Sequence, residues 1–245
     1  MSYPSGSVIG PADVGLFPPE RPPVKLGIVG TAERRVLSAA ALLVAAAFST
    51  GCDPAEARVH SGETLFLNNC APCHGAQGEG IAVAKAPAIG GLPEWYAKHQ
   101  VEGFRDGLRG THFDDIQGMR MRPMALTLVS DDEVAKVSAY VATLPRTNPA
   151  AQLQGGNAEA GAGYYGTCAA CHGADGMGNE ALGAPPLVGA SDWYLRDQLE
   201  KFQTGVRGAH PKDSRGAQMA PMAKTLPDGQ AIKDVLAHVA TLGKK

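Results

Sequence analysis

The sequence predicts an all-α protein made of two tandem copies of one small helical domain. A Cys-x-x-Cys-His motif occurs at residues 70–74 and again at residues 168–172, an offset of 98 residues. Aromatic, basic and methionine residues recur at the same offset without a gap, which indicates an internal duplication. Apolar residues between these positions follow helical spacing, and few runs are rich in β-formers. A chain of 245 residues has room for two such domains.

The chain divides into five predicted segments. The N-terminal extension is rich in Pro and Gly and is expected to be disordered. A short basic and then apolar segment follows it, and after that come two domains joined by a linker that contains Pro149, Gly155 and Gly156. The predicted boundaries are 1–35 for the extension, 36–52 for the apolar segment, 60–146 for the first domain, 147–157 for the linker and 158–245 for the second domain.

The segment 36–52 has the layout of an export signal. Arg34 and Arg35 precede an apolar run that is shorter than the roughly 20 residues needed to span a bilayer. Its end, Ser-Thr-Gly-Cys, resembles a bacterial lipobox in which Cys52 carries a lipid, although the serine stands where that pattern prefers Leu or Val. The alternatives are an ordinary cleavage site beside a chance cysteine, and an uncleaved helix. We therefore expect a bacterial periplasmic protein, held at the membrane by a lipid on Cys52 or by this helix.

Each Cys-x-x-Cys-His motif is a predicted attachment site for haem c. Two thiols three positions apart add across both vinyl groups of one haem, and the adjacent histidine becomes the proximal ligand of the iron. A four-thiolate zinc centre is the competing interpretation, but a histidine follows both pairs and the chain between them is far longer than in a zinc ribbon. We therefore predict two covalent haem groups, with thioether bonds to Cys70, Cys73, Cys168 and Cys171 and proximal ligands His74 and His172.

The charge and the aromatic content bear on the class of function and on the size of the core. A formal net charge of −2 argues against a nucleic-acid-binding protein, which normally carries a basic excess. Aromatic residues make up only 6% of the chain, so each small domain has a thin core. A buried porphyrin in each domain would supply the missing apolar volume.

N-cap residues and prolines predict where the helices of the first domain begin and end. Ser61 is a predicted N-cap for a helix that leads into the first motif. Pro93 opens a second helix that stops near Gly107, and a long loop follows. Ser130 begins a capping box for the last helix, which Pro145 ends. The buried face of that helix is predicted to carry Val134, Val137, Ser138 and Val141.

The second domain repeats these signals, and Asp228 opens its last helix. That helix carries Ile232, Val235, Leu236 and Val239 at helical spacing. Residues shared by both copies are those that a common pocket would need. They pair as Trp95 with Trp193, Tyr96 with Tyr194, Phe104 with Phe202, Arg109 with Arg207, His112 with His210, Met121 with Met219 and Met124 with Met222. Such a duplication favours two equivalent lobes packed through a pseudo-twofold interface.

The second axial ligand of each iron is predicted to be a methionine. The candidates are the pairs Met121 with Met124 and Met219 with Met222, which lie in an otherwise polar loop of each domain. A thioether ligand favours ferrous iron and closes the site to oxygen or peroxide. We select the first member of each pair, Met121 and Met219. His112 and His210 are the rival ligands.

Several other repeated residues are candidates for the haem pocket. Arg109 and Arg207 are expected to bind haem propionates, unless they are solvated surface residues. Trp95, Trp193, Tyr96 and Tyr194 are expected either to line the haem edge or to pack in the core. Pro87 and Pro185 offer a backbone carbonyl that could accept the proximal imidazole N–H, a bond that fixes the orientation of the ring.

With these motifs placed, the chain resembles the dihaem class I c-type cytochromes of the cytochrome c4 kind. The resemblance rests on the two attachment motifs, on the Pro-x-Ile/Leu-x-Gly segments at 87–91 and 185–189, and on the Met-x-x-Met-x-x-x-Leu segments. It covers the chain from about residue 61 to the C-terminus. It implies two all-α cytochrome c domains, each wrapped around one haem, with His74 and Met121 as one axial pair and His172 and Met219 as the other.

The expected function is one-electron transfer between respiratory-chain partners, such as a quinol-oxidising complex or a terminal oxidase. We expect no nucleic acid and no small-molecule substrate. A dihaem enzyme, either a peroxidase or a thiosulfate-oxidising cytochrome, is the first alternative and would need an open or non-methionine ligand position at one haem. A fixed electron-transfer subunit of a larger membrane complex is the second alternative.

Overall fold

The computed structural model describes residues 61–243, and within them all regular structure is helical. The only β-type pairings there are two isolated bridges, Ile81 with Ala86 and Asn179 with Ala184. The predicted extension, the segment 36–52 with Cys52, and the last two residues lie outside the described part. Within the described part, no helix is both long and apolar enough to cross a membrane.

The first domain has four helical segments. A π-helical turn divides the first of them into α1 and α2, and a short 3₁₀ turn follows the first motif. The elements are α1 (Gly62–Leu65), the π turn (Phe66–Cys70), α2 (Ala71–His74), the 3₁₀ turn (Ala82–Ala84), α3 (Glu94–Arg105), α4 (Ile116–Leu126) and α5 (Asp131–Thr143).

The second domain repeats this order, except that its first helix is continuous. The elements are α6 (Ala158–His172), a 3₁₀ turn (Glu180–Leu182), α7 (Asp192–Thr204), α8 (Ser214–Ala223) and α9 (Gly229–Leu242). The described helices belong to one compact unit. The predicted all-α fold with two tandem domains is therefore confirmed.

The predicted N-caps are present. Ser61 Oγ accepts the N–H of Thr64 at 3.1 Å, and Ser130 Oγ accepts the N–H of Glu133 at 3.2 Å. In the second domain, Asp228 Oδ1 accepts the N–H of Ala231 at 2.8 Å. Each side chain satisfies a backbone donor that has no partner inside its helix, which fixes where the helix begins.

The two methionine segments are helices, and the prediction of a long loop was wrong. They form α4 and α8, and each contains a proline, Pro123 or Pro221, that interrupts the backbone hydrogen bonding. Asp115 and Asp213 cap these helices and accept the N–H groups of residues three positions later. A capped start and contacts with the rest of the domain outweigh the cost of one proline, which local sequence rules cannot show.

Each domain core forms where the first helix packs against the last one. In the first domain Phe66 is fully buried and its ring lies 5.4 Å from that of Tyr140. In the second domain Gly161 lies so close to α9 that a Cβ atom would come within 1.9 Å of the Asp234 carbonyl oxygen. The predicted apolar faces of α5 and α9 are buried as expected. The cores are small, and apolar side chains of both domains also line two cavities.

The segment between α5 and α6 lies along the second domain. Thr147 Oγ1 donates to the Gly189 carbonyl at 3.2 Å, and the N–H groups of Gln152 and Leu153 donate to Asp192 Oδ2 at 2.7 and 2.8 Å. The segment therefore has defined contacts over part of its length. The domain boundaries stated above remain predictions.

Candidate haem sites

The first domain contains a cavity of about 250 Å³ that begins at its attachment motif. Both thiols and the histidine of the motif line it, and so does the methionine helix α4. Residues of the second domain, among them Trp193 and Tyr194, close one side of this cavity. The lining that carries the predicted chemistry consists of Cys70, Cys73, His74, Pro87, Met121, Met124 and Arg109.

The second domain contains an equivalent cavity of about 190 Å³. Residues of the first domain, Tyr96, His99 and Gln100, contribute to its wall. Each cavity is therefore completed by the other domain. The equivalent lining residues are Cys168, Cys171, His172, Pro185, Met219, Met222 and Arg207.

Each motif histidine is held by a backbone carbonyl, as the sequence led us to expect. His74 Nδ1 lies 2.8 Å from the Pro87 carbonyl oxygen, and His172 Nδ1 lies 2.7 Å from that of Pro185. A carbonyl oxygen only accepts, so Nδ1 carries the proton and Nε2 keeps a lone pair for a metal ion. Burial lowers the pKa of both imidazoles, and the hydrogen bond to proline opposes this effect only in part. Both rings are therefore neutral at pH 7.

The four motif cysteines form no disulfide with one another and lie in two separate pairs. Burial and the neighbouring Cys73 raise the pKa of Cys70 to about 11, and burial also raises the pKa of Cys168. Because each pair lines its own cavity, the four sulfurs do not meet. A four-thiolate zinc centre would need all four sulfurs around one ion, which this separation does not provide.

The methionine pairs face the cavities, whereas the rival histidines do not. Met121 and Met219 are half-buried, and their partners Met124 and Met222 are 37% and 43% exposed. His112 stacks on Phe113 with ring centroids 4.6 Å apart, and its Nδ1 accepts the N–H of Asp114. His210 accepts the N–H of Lys212 in the same way. Both histidines thus cap tight turns and line neither cavity.

The two predicted arginines meet at the boundary between the domains. Arg109 donates through Nη1 to Gln100 of its own domain, and through Nη2 to Gln198 of the other at 3.1 Å. Arg207 mirrors this, with Nη1 2.9 Å from Gln198 Oε1 and Nη2 3.0 Å from Gln100 Oε1. These four hydrogen bonds between the two arginines and the two glutamines have the pseudo-twofold symmetry that the duplication predicts. The two arginines are therefore not solvated surface residues.

The Nε atoms of Arg109 and Arg207 are buried donors that have no acceptor among residues 61–243. A buried guanidinium N–H without an acceptor is costly, and a carboxylate is its best partner. Each arginine also lines one cavity that holds two thiols and a neutral histidine. The donor set, the apolar lining and these unpaired Nε atoms fit a covalent haem, and Arg109 and Arg207 would bind its propionates.

The aromatic candidates occupy unequal positions. Tyr96 and Tyr194 line both cavities, while Trp193 lines only the first and Trp95 is not among the lining residues of either. Each indole has a cation from the other domain over its ring. Lys85 lies 5.2 Å from the centre of the Trp193 ring, and Arg215 lies 5.3 Å from that of Trp95. The tryptophans thus contribute to the domain boundary.

Sequence reasoning missed four polar residues of this boundary. Gln100 and Gln198, which receive the arginine bonds, are separated by the repeat offset, so the internal comparison could have found them. Asp115 and Lys201 form an ion pair between the domains, and here the repeat gives no signal because the residue equivalent to Lys201 is Gly103.

Comparisons with known proteins agree with this geometry. A family model described as Cytochrome c matches twice, at residues 59–145 and 158–243. The chain is 33% identical over 191 residues to a thiosulfate dehydrogenase electron acceptor of Stutzerimonas stutzeri, covering 72% of this chain and 80% of that protein. It is 30% identical over 169 residues to cytochrome c4 of Thiocapsa roseopersicina, with coverages of 64% and 81%.

A third relative is much longer than this chain. The chain is 36% identical over 136 residues to the cbb3-type cytochrome c oxidase subunit CcoP of Rubrivivax gelatinosus, which covers 52% of this chain and only 38% of that subunit. Two solved structures are similar as well. Thiosulfate dehydrogenase TsdBA of Marichromatium purpuratum aligns with a TM-score of 0.60 at 30% identity, over 74% of this chain and 39% of that one. Cytochrome c4 of Pseudomonas stutzeri aligns with a TM-score of 0.59 at 23% identity, over 73% and 95%, and this likeness concerns the fold.

Proposed function

Because the chain belongs to the cytochrome c family, we propose that it is a relay that passes single electrons between two redox proteins and has no substrate chemistry of its own. The family assignment gives two tandem domains, covalent haem c at both Cys-x-x-Cys-His motifs and a function in electron transfer. Haem c, when bound, supplies a reversible one-electron couple of its iron. The chain's own residues hold the group, exclude water and set its surroundings.

We assign His74 and Met121 as the axial pair of the first domain, and His172 and Met219 as that of the second. The observation that carries this assignment is that each cavity joins a neutral histidine, fixed through Nδ1, to a methionine on the helix that Asp115 or Asp213 caps. A sulfur ligand at both sites leaves no open coordination position for a substrate. This supports a carrier over an enzyme.

The relatives suggest partners at both ends of the relay. An electron acceptor of a thiosulfate dehydrogenase is similar over most of its length, which favours a dehydrogenase as the electron donor. The similarity to an oxidase subunit favours a terminal oxidase as the acceptor, and a quinol-oxidising complex is a second possible donor. We place this exchange in the periplasm, with the N-terminal segment as a membrane attachment through Cys52 or through its apolar residues.

The ligand assignment is tested by absorption spectroscopy of the oxidised protein. A weak sulfur-to-iron band at the red end of the visible spectrum should have the intensity of two haem groups. Met121→Ala and Met219→Ala should each remove half of it, while the matched variants Met124→Ala and Met222→Ala should retain it all. Survival of the band in either of the first two variants would reject that ligand.

The carrier assignment is tested separately by turnover. The purified protein should not oxidise thiosulfate with an artificial acceptor when it is alone. It should become reduced when a thiosulfate dehydrogenase and thiosulfate are added together. Steady oxidation of thiosulfate by the protein alone would favour the enzyme alternative instead.

A further inference from the structure

Lys201 of the second domain reaches across the boundary into the first. Its Nζ lies 2.6 Å from Asp115 Oδ1 and 3.1 Å from Gln117 Oε1. The side chains of Lys201 and Asp115 are only 13% and 5% exposed, so solvent screens this charge poorly. Burial alone would raise the pKa of Asp115, but the hydrogen bond and charge of Lys201 outweigh it and the pKa falls below its ordinary value. The Asp115 carboxyl is therefore ionised at neutral pH.

The position of this pair links it to the first haem cavity. Asp115 is the N-cap of α4, the helix that carries Met121, and accepts the N–H of Gly118 at 3.1 Å. Lys201 itself is one of the residues that line the first cavity. A cation of the second domain thus lies beside the pocket of the first.

The second domain has no equivalent pair. Asp213 caps α8 as Asp115 caps α4, but Gly103 stands where the repeat would place a lysine. Among residues 61–243, no cation forms an ion pair with Asp213. Burial and the charge of Arg215 lower the pKa of the nearby His99, which is therefore neutral at pH 7. Arg215 itself lies over the Trp95 ring.

We propose that Lys201 is a positioning residue that makes the two haem sites inequivalent and biases a shared electron toward the first domain. The inference rests on the proposed relay. The step moves one electron from one domain to the other, so that one site is oxidised as the other is reduced, and no bond forms or breaks. Reduction lowers the positive charge of a site, so an anion without a cation partner beside a cavity disfavours the reduced form. Lys201 offsets the charge of Asp115 beside the first cavity, whereas Asp213 beside the second cavity has no such partner among residues 61–243.

A redox titration of the holoprotein at pH 8 should give two waves, and charge variants test the inference. Lys201→Met leaves Asp115 as an unpaired anion and should shift the first-domain wave by about tenfold in equilibrium, or about 59 mV, to lower potential. Asp115→Asn leaves Lys201 as an unpaired cation and should shift the same wave upward. The double variant should lie near the wild type. A purely structural effect would move the wave in the same direction in both single variants.

A transplant and a matched control complete the experiment. A Cβ atom at Gly103 meets no atom within 4 Å. Gly103→Lys should raise the second-domain wave, and Gly103→Met should leave it in place. Lys136→Met breaks an ion pair of the same 2.6 Å length, between the half-buried Lys136 and the exposed Asp132, and should shift neither wave. If Lys201→Met proves unstable, the transplant decides the question alone.

The inference is overturned if both waves stay in place in Lys201→Met and in Gly103→Lys. That result would leave the relay intact. The inference is also overturned if the wild type shows a single wave for both sites. A failure of the relay itself has a different signature, because the wild type would then not become reduced by a redox partner. The two failures are therefore distinguishable.

Discussion

Nη2 of Arg109 lies 3.1 Å from Oε1 of Gln198, across the boundary between the two domains. The return bond from Arg207 to Gln100 measures 3.0 Å, so each glutamine accepts from both arginines. Gln198 and Arg109 are buried, and both arginines keep an Nε–H without an acceptor in the described part of the chain. This network joins the two domains and orients the arginines toward the cavities.

Removal of one glutamine should therefore destabilise the boundary. In Gln198→Leu, one N–H of each arginine loses its acceptor, and the cost is about 1–3 kcal/mol of unfolding free energy. Urea unfolding of the holoprotein measures it. Thr204, an exposed residue on the same helix, provides the control, because Thr204→Ala should change stability by less than about 0.5 kcal/mol. Equal effects of the two substitutions would argue against a structural role for Gln198.

The contact between α6 and α9 should tolerate no side chain at Gly161. A Cβ there would come within 1.9 Å of the Asp234 carbonyl oxygen, whereas one at Gly163 would meet nothing within 4 Å. We expect Gly161→Ala to destabilise by about 1–3 kcal/mol because the helices must separate. Gly163→Ala on the same helix should stabilise by about 0.5–1 kcal/mol. Thermal unfolding followed by circular dichroism compares the two variants, and a stable Gly161→Ala variant would mean that the helices are farther apart than described.

The ion pair between Asp115 and Lys201 should give the protein an acid-sensitive contribution to stability. The pKa of Asp115 is depressed in the folded state, so its contribution is fully present above the ordinary carboxyl value of about 4 and is lost as pH falls through the folded value. Asp115→Asn should lower the unfolding free energy by about 3 kcal/mol at pH 7. Below a pH of about 4, the difference in stability between this variant and the wild type should become smaller.

The symmetric residue provides the control for this prediction. Asp213 caps α8 through the N–H of Gly216 but has no lysine partner within residues 61–243. Because asparagine also caps helices well, Asp213→Asn should change stability by less than about 1 kcal/mol at pH 7. Urea unfolding between pH 3 and pH 8 compares both variants. Equal losses at both positions would show that the lysine contributes nothing beyond the cap.

The covalent attachment can be counted by mass spectrometry. Replacement of Cys70 and Cys73 by alanine should remove the mass of one haem and leave the second attached, and replacement of Cys168 and Cys171 should do the converse. Cys52→Ser should retain both groups, since Cys52 belongs to neither motif. A variant that retains two haem masses after loss of one pair would contradict the assignment.

Local sequence did not predict the two methionine helices, α4 and α8. Met121 and Met219 were predicted to lie in an otherwise polar loop of each domain, and each segment also contains a proline, Pro123 or Pro221. The capping carboxylates of Asp115 and Asp213 and the packing of Ala125 and Ala223 into the domains hold these segments as helices. Tertiary contacts therefore overrode a local preference.

By itself the sequence determined the repeat, the attachment motifs, the helix caps and the apolar faces of α5 and α9. The motifs, the caps and the apolar faces are each set by residues within a few positions of one another, and the repeat shows most of them twice. Only the tertiary structure decided that Arg109 and Arg207 face each other through Gln100 and Gln198, and that Lys201 reaches Asp115. These contacts join residues that are more than 80 positions apart. They depend on how two copies of one fold are packed, and the Lys201 contact breaks the symmetry that the repeat would otherwise impose.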